Sequence, residues 1–113
     1  MTIQSLPTRR SQDITYMTVD FTPYIASIDG NSTATAASAS AIVVTGVDSN
    51  PTAILGNTTY NPSLQSTYGQ ILVNLTIANG VSGTIYQVTC RVTMSTGNVY
   101  SINLYQAVND NAI

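Results

Sequence analysis

Few residues in this 113-residue chain are equipped for chemistry, and their spacing narrows the options further. The charged groups are five aspartates (Asp13, Asp20, Asp29, Asp48, Asp110) and three arginines (Arg9, Arg10, Arg91), joined by a single thiol, Cys90. Histidine and lysine are both absent. The chain therefore has no imidazole to activate a serine or cysteine, no Schiff-base amine and no phosphate-loop lysine. One cysteine excludes an internal disulfide and a multi-thiolate zinc site. Calcium loops draw their oxygen ligands from close clusters such as D-x-D-x-D-G. Here the nearest aspartates outside the turn sequences, Asp13 and Asp20, are seven positions apart. Asp29 and Asp48 lie in turn-like sequence, where a short carboxylate bonds to its own backbone. These residues predict neither an enzyme nor a metal or cofactor site.

Recognition is the remaining chemistry. Arg9-Arg10 is the densest charge in the chain and reads either as a docking arm or as a solvated tail. The planar guanidinium fork suits paired contact with a partner's carboxylates. Seven tyrosines against one phenylalanine supply a second group. Tyr86 and Tyr100 fall on faces expected to be buried. Tyr24, Tyr60 and Tyr68 fall in turns or on outer faces, with Tyr105 a further candidate, and exposed tyrosine is enriched at protein interfaces. Only 7% of residues are charged, against ~25% in an average protein. The polar surface must instead come from 17 Thr, 12 Ser and 10 Asn. Such a surface is expected to associate readily. With a net charge of −2 and three bases, it lacks the basic footprint that nucleic acid requires.

The elements that position these groups are strands. Ile14 to Phe21 reads ITYMTVDF and ends at Pro23, as an edge strand closing in a turn does. Thr33 to Ala41 alternates small and polar residues and runs into Ile42-Val43-Val44, which favours strand over helix despite the alanines. Val47 to Pro51 is a turn, followed by a short Thr52 to Leu55 segment and a loop over 56–62. In Gln70 to Ile77, Ile71, Val73, Leu75 and Ile77 share one face. After an Asn79-Gly80 turn, Tyr86, Val88, Cys90, Val92 and Met94 share a face, with Gln87, Thr89, Arg91 and Thr93 opposite. Ser95-Thr96-Gly97-Asn98 then forms a hairpin to Val99–Ala107, where Tyr100, Ile102 and Leu104 point inward. Placed among valines without a base, Cys90 is expected to be an inert core thiol.

Six or so short strands, frequent turns and no helical stripe predict an all-β fold, an antiparallel immunoglobulin-like β-sandwich. Residues 1–12 show no sustained period and are expected to form an extended N-terminal arm. The sandwich then spans 13–108, with a short tail over 109–113. No apolar run approaches the ~18 residues of a membrane span, and no apolar segment of a secretory signal follows Met1. Synthesis in a cytoplasm is the expectation. Without export, the three Asn-x-Ser/Thr matches at Asn31, Asn57 and Asn74 carry no meaning.

Gly80-Val81-Ser82-Gly83-Thr84-Ile85-Tyr86-Gln87-Val88-Thr89-Cys90-Arg91-Val92-Thr93-Met94-Ser95-Thr96-Gly97, followed by Val99 to Leu104, resembles a pattern of small virion proteins of tailed bacteriophages. That pattern is roughly GG-x-x-G-x-x-Y-x-V-x-C-x-V-x-T-x-x-G, and it is typical of the fibre-tail adaptor family. Asp20-Phe21-Thr22-Pro23-Tyr24-Ile25 is similar to the family's D-[FW]-x-x-[WY]-[LI] segment. The resemblance covers about 13 to 107. It departs at Ile42-Val43, where a tryptophan is often found, and at Val81, where small residues are common. The physical content of the motif is a tight glycine turn, then an aromatic side chain anchoring a corner of the sandwich.

The resemblance implies a structural virion protein, present in several copies, that attaches fibres or spikes to the tail or portal-proximal assembly. Its partners would be other virion proteins, with Arg9, Arg10, Tyr24, Tyr60 and Tyr68 as candidate contacts, and its location the virion tail. Two rival expectations stand beside it. One is a capsid decoration protein of the same fold. The other is a carbohydrate-binding module using tyrosines and Asn/Asp loops.

Overall fold

The computed structural model describes residues 2–25, 33–56, 62–67 and 70–111; the side chains of 2–4, 24, 66 and 67 are not described. Among these residues seven strands follow in order: β1 (Thr2–Ser5), β2 (Thr15–Asp20), β3 (Ala34–Thr45), β4 (Ser63–Thr67), β5 (Gln70–Ile77), β6 (Thr84–Met94) and β7 (Val99–Val108). A one-turn helix, α1 (Thr22–Ile25), follows β2, and a 3-10 helix spans Pro51–Leu55. The short segment expected after the Val47–Pro51 turn is this 3-10 turn, with Pro51 at its start, where a missing N–H is tolerated.

Two sheets form the sandwich: four strands in the order β1-β7-β6-β3, and three in the order β2-β5-β4. All-β architecture is thus as expected, with one departure from an antiparallel scheme. β1 runs parallel to β7, pairing Thr2 with Ile102 through Ser5 with Tyr105. The other ladders are antiparallel.

Alternation along the strands builds the core. On β5, Ile71, Val73, Leu75 and Ile77 are buried, and on β6 so are Tyr86, Val88, Cys90, Val92 and Met94. Ile102 and Leu104 from β7 and Val19 from β2 complete the layer, closed at its ends by Phe21, Ile25 and Ile54. This is the period-2 signature of strands with one face covered. Burial of the Cys90 thiol pushes its pKa to about 12, so it stays protonated and unreactive.

The glycine-tyrosine corner is built as the motif's physics requires. Gly80 sits at φ 100°, and a Cβ there would lie 2.9 Å from the Val108 Cγ2. The turn brings the Val81 N–H to the Tyr86 hydroxyl oxygen at 2.8 Å, and that hydroxyl donates to the Asp48 carboxylate at 2.6 Å. Tyr86 thereby ties the β5–β6 turn to the loop after β3 while its ring fills the core.

Candidate interaction surfaces

The N-terminal segment is extended, but it lies along its own sheet. Beyond β1, the Leu6 N–H donates to the Tyr105 carbonyl, the Arg9 N–H to the Ala107 carbonyl, and the Asn109 N–H to the Arg9 carbonyl. Pro7 has no N–H to contribute to this ladder, and its carbonyl is taken by the Nε2 of buried Gln106 at 2.8 Å. An edge of β7 that would stand open is thus covered in cis over Ile102–Asn109.

Arg9 and Arg10 do not act as a pair. Successive side chains of an extended chain point to opposite sides, and here one goes in and the other out. Arg9 is 5% exposed, its guanidinium donating to the carbonyls of Asn79 and Asp13. Its Nε has no hydrogen-bond partner, and burial pulls its pKa below the ordinary value. This arginine fastens the arm to the Asn79-Gly80 turn, a correction to its expected place at a partner interface. Arg10 remains outward, its side chain 58% exposed and 3.7 Å from Asp13. The Asp110 carboxylate accepts from the Ser11 N–H at 2.8 Å, which holds its pKa below the usual range.

Of the tyrosines expected to be exposed, Tyr60 and Tyr68 lie outside the described residues, as does the Tyr24 side chain; the Tyr24 backbone is in α1. Tyr105 is half-buried on β7, its backbone covered by β1. Among the described tyrosine side chains, Tyr16 stands farthest into solvent, 77% exposed on edge strand β2. Strand alternation contained that signal, since Thr15, Met17 and Val19 turn inward. Tyr16 borders a groove of about 700 Å³ with Ile14, Thr18, Ser63, Asn74 and Thr76. None of these is charged, and the Thr18 hydroxyl donates to the Asn74 Oδ1 at 2.9 Å.

A second apolar group sits at the β3 edge of the four-stranded sheet. Ile42 and Val44 are 54% and 51% exposed, with Val47 and Ile85 nearby in the fold. The run Ile42-Val43-Val44 marks a strand, but an unbroken apolar run carries no alternation to show which side chains face outward. Among the described residues, no group of three or more His, Cys, Asp or Glu could hold a metal ion. No helix among them is long and apolar enough to cross a membrane. The chain matches no protein-family model and no curated protein.

Proposed function

We propose that this chain is a non-enzymatic structural protein of a tailed-bacteriophage particle, an adaptor that attaches fibres or spikes to the tail or portal-proximal assembly. The observation that carries the reading is a surface with very few charges on which Ile14, Tyr16, Ile42, Val44 and Val47 stand exposed. Apolar groups outside a charge-poor fold are suited to permanent contact with neighbouring subunits. The Gly80–Gly97 motif and the Asp20–Ile25 segment supply the family resemblance. In this reading several copies act together, so contacts that are weak singly hold fibres firmly. Arg10 offers the outward guanidinium for an acidic partner.

Fractionation of purified particles tests it, with mass spectrometry on separated heads and tails. The expected result is recovery with tails and fibres at a copy number matching the tail symmetry. Recovery with empty heads, in proportion to the major capsid protein, would transfer the role to capsid decoration. Absence from both would end the virion reading. The neutral Tyr16 groove, with its Asn74 amide and adjoining hydroxyls, favours the carbohydrate-binding alternative. Saturable glycan binding by the isolated monomer would then be the result to expect.

A further inference from the structure

β3 is the longest strand of the fold and lies at the edge of the four-stranded sheet, with β6 on one side. Among the described residues no backbone hydrogen bond reaches the far side of 36–45. Natural edge strands are usually blunted by charges, proline, shortness or bulges. β3 reads ATAASASAIVVT, without charge or proline, and its irregularities lie towards its ends, between Ala34 and Ala36 and between Val43 and Thr45. From Ala36 to Val43 the ladder with β6 is regular, and no described residue pairs with its far edge through backbone hydrogen bonds, while the 3-10 helix and β4 pack beside the strand.

We propose that this edge pairs antiparallel with β3 of a second copy of the chain, about a two-fold axis at Ser40, joining the two four-stranded sheets into one continuous sheet. The strand complements itself in size. Its outward face is Ala36, Ser38, Ser40, Ile42 and Val44, all exposed, while Ala37, Ala39, Ala41 and Val43 turn inward. Residues directly opposite in an antiparallel pair share a face, so the axis must pass through one residue, not between two. With the axis at Ser40, Ile42 opposes Ser38 and Ser40 opposes itself. The exposed Ile42 side chain then lies over a small one in the partner. On the inner face Val43 opposes Ala37 and Ala39 opposes Ala41, again without crowding. No like charges meet, because the strand has none. A two-fold contact of this kind is closed, so it yields a dimer and not a fibre. The pairing stands independently of the virion reading.

Cysteine scanning of the full chain tests both contact and register. In Ser40→Cys the two thiols fall opposite each other with Cα atoms about 4.5–5.5 Å apart, inside the range that a disulfide spans. In Ser38→Cys the two copies of the cysteine are offset by four residues, roughly 13 Å along the strands, and cannot bridge. Mild oxidation should therefore yield dimer at least about tenfold faster from Ser40→Cys than from the likewise exposed Ser38→Cys. Native Cys90 is buried and does not interfere. Sedimentation equilibrium should show a dimer that Ser40→Lys weakens at least about tenfold by opposing two like charges, with circular dichroism unchanged. Equal cross-linking at the two positions, or a native chain that stays monomeric to millimolar concentration, would overturn the proposal. So would thiols shielded only inside purified particles, which would assign the edge to a different protein.

Discussion

Replacing Tyr86 by phenylalanine removes one oxygen from the corner and leaves the ring that fills the core. Two hydrogen bonds go with it: the one accepted from the Val81 N–H and the one donated to Asp48. The corner is partly buried, so water only partly replaces the oxygen at the Val81 N–H, and losing that bond should cost about 1–2 kcal/mol. For a domain of this length that is a fall of about 4–8 °C in Tm. The urea midpoint should drop with the slope unchanged, because no additional surface is exposed.

The pH profile sharpens the test. The Tyr86 hydroxyl, followed by the Asn50 backbone N–H, holds the Asp48 carboxyl below its ordinary pKa. A depressed carboxyl adds stability above its unfolded value of about 3.9, and that stability is lost as pH falls through the lower folded value. Tyr86 is raised, first by burial and then by its bond to Asp48. It adds stability below its unfolded value near ~10 that is lost as pH rises through the folded value. Urea melts across pH should therefore show the two proteins differing most between about pH 5 and 9 and converging towards both extremes. A stability loss under ~0.3 kcal/mol at pH 7, or a difference that does not vary with pH, would refute the account of the corner.

Removing residues 1–8 strips β1 from β7 but keeps Arg9; the remaining sandwich should stay folded by circular dichroism with a lower Tm, and under the proposed virion role particle incorporation should weaken. Incorporation at the normal level would show that the segment serves only its own fold. Arg9→Met should destabilise the chain by about 1–3 kcal/mol, since a charged donor to two carbonyls is lost, whereas Arg10→Met should leave the urea midpoint within about 0.5 kcal/mol of the parent. Cys90 should resist a thiol reagent in the native protein and react on unfolding in urea; rapid labelling of the native chain would contradict its burial. Gly46→Ala should cost more than about 2 kcal/mol, because φ there is +109° and the new Cβ would meet the Thr84 Cα at 2.8 Å; a melting curve like the parent's would show that the loop yields.

What the sequence determined by itself was the set of strands whose alternation is strong. Val, Ile, Tyr and Thr at period two marked β5, β6 and β7 and their buried faces, because side-chain direction in a strand is a local property of the backbone. The Gly80 turn and the Tyr86 anchor were legible for the same reason, since a turn and the side chain six residues later are close in the chain. β1 and β4 carry no such pattern. TIQS and SLQST are strands only because β7 and β5 present edges with backbone groups to satisfy. The fate of Arg9 was equally invisible: its two acceptors, the carbonyls of Asp13 and Asn79, are four and seventy residues away. Nor could the pattern along β3 say which of its edges faces solvent. Strand order is a long-range choice, made by how the two sheets close over Val19, Leu75, Val88 and Leu104, and it alone decides which residues remain outside for a partner.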